Sequence, residues 1–290
     1  MTLPVLPPWM SGPPVRMLLA TDLSARCDRA LDRAVQLAEA WGADLVVLHV
    51  VEVPRAPDLV LNWVDGEDDR ERLAQAREQL KTELAGLQAH GRVVLAHGAT
   101  AAVIAEVAAR EGCGLIVTGM ARDEPFGRFL VGSTVEKLAR SVPQPLLVVR
   151  NRPRAPYRKV VVASDFSPPS RHALHAASRF FPQAAFTLYN AQPPARPDLD
   201  AQRSLVAARA EAEEFIAGSD LPEALHRRLP AVVDAGAIES LLTRYVRDNG
   251  IDLAVIGTHG RGGLLGALLG SVAAQLLDWL PCDTLIVRAP

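Results

Sequence analysis

Near the carboxy-terminus, Gly257-Thr-His-Gly260 is followed by nine residues and then by Gly270-Ser271. Glycines let backbone N–H groups approach an anion with no Cβ in the way, and a helix opening on Gly-Ser adds unpaired donors and partial positive charge. Residue types at this spacing make a cradle for phosphates. The chemistry is binding, and catalysis would need more. Gly257, Gly260, Gly262, Gly270 and Ser271 are the candidate phosphate contacts, while Arg261 either pairs with a phosphate or stays solvated. Five glycines fall between Gly257 and Gly266, more than one turn needs. His259 reads as a loop residue rather than a catalytic acid.

A cradle works only if rigid elements hold its two ends. Upstream, the apolar run Ile251 to Ile256 predicts a buried strand, and downstream Val272 to Leu280 predicts a helix. The same frame occurs earlier in the chain. Gly119 and Gly132-Ser133 stand 13 residues apart, as do Gly257 and Gly270-Ser271. Pro143 and Pro281 each follow 11 residues after the second glycine, and Arg150 and Arg288 follow 18 after it. Leu18-Leu-Ala-Thr-Asp22-Leu-Ser24 likewise matches Val161-Val-Ala-Ser-Asp165-Phe-Ser167. The chain is therefore a two-copy repeat, each copy about a domain long.

Strands are expected at Val15–Thr21, Asp44–Val51, Arg92–Ala96, Gly114–Thr118 and Leu146–Val149 in the first copy. In the second they are expected near Val160–Ser164, Ala185–Asn190, Leu225–Val232, Ile251–Ile256 and Thr284–Val287. Ser24 is the expected N-cap of a helix reaching Trp41, and Ser167-Pro168 reads as an N-cap with proline at the first helical position. A charged amphipathic helix is expected from Glu67 to about Gln88, and another helix from Thr100 to Arg110. Strands alternating with helices call for parallel sheets covered on both faces. Ligands of such sheets sit beyond the carboxyl ends of the strands, where Asp165 and Gly257 both fall. An aspartate there can also simply order the turn into the first helix. Asp165 is read as a ligand contact and Asp22 as a turn former.

With 290 residues, 49% of them apolar and 22% charged, the chain suits two modest globular domains. A formal charge of −2 gives no general pull toward nucleic acid or an anionic membrane, so an anion site must be local. Cys27, Cys113 and Cys282 lack metal-ligand spacing and fit a reducing compartment. The proline-rich segment 1–14 reads as a disordered arm without a signal peptide's features, and a cytoplasmic protein is expected. His172 and His175 stand at i, i+3 without a third ligand at suggestive spacing, so they are expected on the surface and no metal is assigned.

On the Gly257/Gly260/Gly270-Ser271 frame together with Asp165, the sequence resembles the universal stress protein family, specifically its tandem two-domain members. The resemblance covers roughly 15–150 and 157–288, which implies an arm at 1–14, domains at 15–150 and 157–290, and a linker at 151–156. It implies an α/β fold of two five-stranded parallel sheets, Rossmann-like and of the adenine nucleotide alpha hydrolase type, with strand order 3-2-1-4-5. It further implies ATP as ligand, with or without Mg²⁺, Asp165 facing the adenine end, and the loop glycines and Ser271 on the phosphates. Pairing of the two domains within the chain, with a homodimer possible beyond it, follows from the family habit of joining fifth strands.

The first copy departs from the frame. Arg122 replaces the second glycine, Asp123 and Glu124 add negative charge, and Pro125 removes a donor. Asp22, Gly119, Gly132 and Ser133 are thus the remnants of a degenerate motif, and ATP is expected in the second domain. Neither Gly132-Ser133 nor Gly270-Ser271 carries the lysine of a GxxxxGK[ST] loop, and no kinase motif occurs. The main reading is an ATP-binding regulatory module in a stress response. The alternatives are a slow ATPase or phosphotransferase, and a scaffold or binder of another small ligand.

Overall fold

The structure is a computed structural model and describes residues 12–24, 27–51, 74–75, 78, 91–120, 132–193, 200–258 and 269–289. The first half runs β1 (Arg16–Thr21), α1 (Asp28–Trp41), β2 (Asp44–Val51), β3 (Gly91–His97), α2 (Thr100–Arg110), β4 (Leu115–Gly119), α3 (Ser133–Ser141) and β5 (Leu146–Val149). The second runs β6 (Lys159–Ala163), α4 (Pro168–Phe180), β7 (Ala185–Gln192), α5 (Asp200–Ala217), α6 (Glu223–His226), β8 (Ala231–Ala235), α7 (Ile238–Asn249), β9 (Leu253–Gly257), α8 (Ser271–Trp279) and β10 (Asp283–Val287).

Strand composition dictates the layering. In β1, Met17 and Leu19 face one core while Leu18 and Ala20 face the other, and all four are buried. A strand apolar on both sides needs helices on both sides, and α1 and α2 supply them. Each half is parallel within itself, with order β3-β2-β1-β4-β5 and its counterpart β8-β7-β6-β9-β10. Both read 3-2-1-4-5. Gly42 stops α1 in the left-handed conformation (φ 63°), its N–H reaching Ala38 and Glu39 carbonyls, and so turns the chain into β2.

The two sheets are one. β5 pairs antiparallel with β10 through Val148–Thr284, Leu147–Leu285 and Leu146–Ile286, giving ten continuous strands. Apolar side chains of both halves share each core, for example Leu147, Val149, Leu285 and Val287 on one face. Trp41 of the first half lies 5.6 Å from Phe180 and 5.7 Å from Phe181 of the second, centroid to centroid. The buried carboxylate of Asp283 ties the junction: Oδ1 accepts from the N–H groups of Arg150 and Asn151, and Oδ2 accepts from the Tyr157 hydroxyl at 2.6 Å.

Three local expectations change. Leu225 belongs to the single turn of α6, and the strand starts at Ala231, after Pro230, which has no N–H to donate. α1 begins at Asp28 with Cys27 as N-cap, because the Cys27 N–H closes a turn onto the Ser24 carbonyl (2.8 Å) and the first helical bond runs from Leu31 N–H to Cys27 O (2.9 Å). His172 and His175 are half-buried on α4, with Nδ1 of one and Nε2 of the other buried and unpartnered. Among the described residues no group of three or more His, Cys, Asp or Glu gathers to hold a metal. The arm at 1–11 and most of the helix expected at 67–88 lie outside the described residues.

Candidate functional site

The carboxyl ends of β6 and β9 are neighbours in the sheet, so the turn after β6 and the loop after β9 face each other. Between them lies a cavity of about 530 Å³, a volume typical of small-molecule sites. Asp165, Gly257, Gly270 and Ser271 all line it. The structure therefore brings together four of the residues singled out by spacing, although 92 residues separate Asp165 from Gly257. Gly260, Arg261 and Gly262 lie outside the described residues.

Asp165 sits in a tight turn. Its Oδ1 accepts from the Ser167 N–H (3.1 Å) and hydroxyl (2.5 Å), which forces Phe166 into the left-handed region at φ 63°. That conformation is unfavourable for a bulky residue and is held by packing: Phe166 is buried, 5.6 Å from the Phe215 ring. Ser167 then caps α4, accepting from the Ser170 N–H. The ligand and turn readings of Asp165 are compatible, because the turn fixes the carboxylate at the cavity wall.

The glycine side of the cavity is formed by α8. Its first helical bond runs from Ala274 N–H to Gly270 O (3.0 Å), so the N–H groups of Ser271, Val272 and Ala273 precede any intrahelical acceptor. All three residues line the cavity, and no acidic residue occupies the first turn to offset its partial positive charge. Gly270 has ordinary extended dihedrals; glycine is needed because a Cβ would lie 3.2 Å from the Thr258 carbonyl oxygen. The Gly270 N–H donates to that same oxygen at 2.9 Å, pinning both ends of the loop together. Close packing thus explains Gly270 as well as an anion does, a reading the spacing did not supply.

Sequence reasoning missed the opposite wall. Asn190, at the end of β7, is 4% exposed and donates to Ser164 O (2.8 Å) while accepting from the Gln192 amide (2.6 Å). Ile238 from the start of α7 and Ile256 from β9 add an apolar flank suited to a flat ring. The signal was positional: β7 adjoins β6, so its carboxyl end must border the crevice.

In the first half, Asp22, Gly119, Gly132 and Ser133 line a cavity of about 350 Å³ at the equivalent place. Asp22 repeats the turn, accepting from Ser24 N–H and hydroxyl, with Leu23 at φ 61°. Burial pushes the Asp22 carboxyl up, but the bonds from Ser24 and the Cys27 thiol outweigh it and hold the carboxyl below its ordinary range. Burial pushes the Cys27 thiol itself up to about 11, so it stays protonated. Unlike α8, α3 carries Glu136 in its first turn. The smaller cavity is thus also the less favourable one for an anion.

A doubly wound sheet, present twice, with a crevice where its winding reverses, defines a tandem α/β protein. The chain belongs to the universal stress protein family, whose model matches residues 15–150 and again 156–288. It is 27% identical to a universal stress protein of Mycolicibacterium smegmatis over 94% of this chain and 96% of that one. A Thermus aquaticus universal stress protein is 33% identical over 46% of this chain and 97% of its own length. The crystal structure of a universal stress protein from Archaeoglobus fulgidus superposes with TM-score 0.71, at 16% identity, covering 94% of this chain and 98% of that one. A Pseudomonas aeruginosa structure ascribed to the same class gives 0.69 at 23% identity, covering 97% and 94%.

Proposed function

We propose that the second half binds ATP and that its occupancy sets a conformation or partner preference in a stress response. One observation carries the reading: the open N-terminus of α8, with Gly270 and Ser271, shares a single cavity with Asp165 and an apolar flank. In this assignment Asp165 faces the adenine end. Gly257, Gly260 and Gly262 bring main-chain donors to the phosphates, Arg261 pairs with one of them, and Ser271 meets them at the helix start, where Mg²⁺ would also bind. The first half keeps the shape without the charge pattern and serves chiefly as the partner of the second. Regulation would follow from differential affinity of ATP for two states.

Among the described residues lining the second cavity, Asp165 is the one carboxylate. Phosphoryl transfer needs acidic or hydroxyl metal ligands and a group placing the nucleophile, so binding is the better-supported activity. The site needs no membrane, and among the described residues no helix is long and apolar enough to cross one. A cytoplasmic location is proposed with it. Because β5 and β10 already pair within the chain, a homodimer would use other surfaces.

Denaturing the purified protein and identifying the released small molecule by mass spectrometry tests the ligand. An adenine nucleotide is expected, and a different molecule would replace this reading. Gly260→Arg, which imitates Arg122 of the first copy, should weaken ATP at least tenfold by calorimetry.

A further inference from the structure

A third cavity, of about 500 Å³, opens at the junction of the halves, away from the two crevices described above. Arg29 and Arg33 reach it from α1, and Arg152 and Arg154 from the connecting segment. Its two carboxylates are already engaged: Asp252 accepts from the N–H groups of Arg158 and Lys159, and Asp283 from those of Arg150 and Asn151 and from Tyr157. Asp32, outside the lining, takes up part of Arg152 at 3.4 Å. Four guanidinium groups against these three carboxylates leave an excess of positive charge. Arg154 has no acidic partner among the described residues.

Two of the arginines are held in advance. Arg33 is 5% exposed, its guanidinium lies 3.9 Å from the Tyr157 ring centroid, and it donates to Ala155 O at 3.0 Å. Its buried Nε makes no hydrogen bond, standing 3.5 Å from Asp283 Oδ2. Arg29 is tied to Arg150 O at 2.9 Å. Like charges gathered and fixed around a hollow cost free energy unless an anion joins them, and planar guanidinium forks match phosphate oxygens two at a time. Four guanidinium groups present more N–H donors than the oxygens of one phosphate can take up.

We propose that this junction pocket binds adjacent phosphates of a pyrophosphate- or polyphosphate-bearing molecule and thereby staples the two halves. The ligand spans α1 of the first half and the connecting segment beside Asp252 of the second. It is independent of the proposed ATP cradle.

The test uses the full chain and sodium pyrophosphate at constant ionic strength. Pyrophosphate should raise the melting temperature saturably and slow tryptic cleavage after Arg154 at least fivefold. Arg152→Ser/Arg154→Ser, at two exposed positions, should melt normally without ligand and weaken pyrophosphate at least tenfold. Gly260→Arg, in the proposed cradle, should leave pyrophosphate binding intact. In that background, ATP binding as tightly as pyrophosphate would identify a nucleotide tail as the source, and pyrophosphate binding alone a free oligophosphate. No saturable shift, equal affinity in the double serine variant, or loss through Gly260→Arg alone would overturn the proposal.

Discussion

At the scale of residues, the two halves repeat a strained device. Leu23 and Phe166, neither of them glycine, sit at φ 61° and 63° directly after the aspartates that border the two cavities. Left-handed backbone in such residues costs roughly 1–3 kcal/mol and persists where surrounding structure over-determines it. Here the aspartate–serine bonds on either side provide that constraint. A different residue-level feature governs pH. Burial lowers the pKa of His172, and burial followed by Arg179 lowers that of His175, with nearby Asp220 opposing. Both imidazoles are thus favoured neutral in the fold. Their stabilising contribution is present above the ordinary imidazole pKa and is lost as pH falls through it toward the lowered values. Urea midpoints should therefore fall from pH 7.5 to pH 5.5, and His172→Gln/His175→Gln should flatten that slope. An unchanged slope would remove the histidines from the explanation.

At the scale of elements, helix ends hold the halves together. The Arg150 guanidinium, closing β5, donates to the Leu277 carbonyl (2.8 Å) at the end of α8, and that of Arg288, past β10, donates to the Arg140 carbonyl (2.8 Å) at the end of α3. Each arginine thus satisfies orphan carbonyls of the other half and complements that helix's negative end. Arg150→Met should cost about 1–3 kcal/mol by chemical denaturation, the usual penalty for a buried acceptor left unmade. A loss below about 0.5 kcal/mol would show that water replaces the bond. The equal spacing of Arg150 and Arg288 after the Gly-Ser pairs was legible in the sequence, but their exchange between halves was not, because spacing along a chain is blind to which helix lies across an interface. Strands were legible where both faces are apolar, as at Leu146–Val149 and Asp44–Val51. Leu225 misled because its segment, which also holds His226, Arg227 and Arg228, separates from the strand only once Pro222 and Pro230 are given their weight. Asp283 and Arg33 were also missed: buried polar hubs show no periodicity.

At the scale of the whole molecule, pairing β5 with β10 removes what would be an exposed edge on each half. The shared cores and the Trp41–Phe180–Phe181 cluster make the halves one cooperative unit. Calorimetric unfolding should show a single transition with matching calorimetric and van't Hoff enthalpies; two resolved transitions would mean that each half stands alone. In the proposed function, a nucleotide enters through the open amides at the start of α8. Ser271→Asp tests it most directly. A carboxylate at the first helical position favours the helix, yet it sets a negative charge against the incoming phosphates. Calorimetric titration with ATP should show affinity at least tenfold weaker than in the unmodified protein, with the melting temperature held or raised. Unchanged ATP affinity in Ser271→Asp would contradict the account.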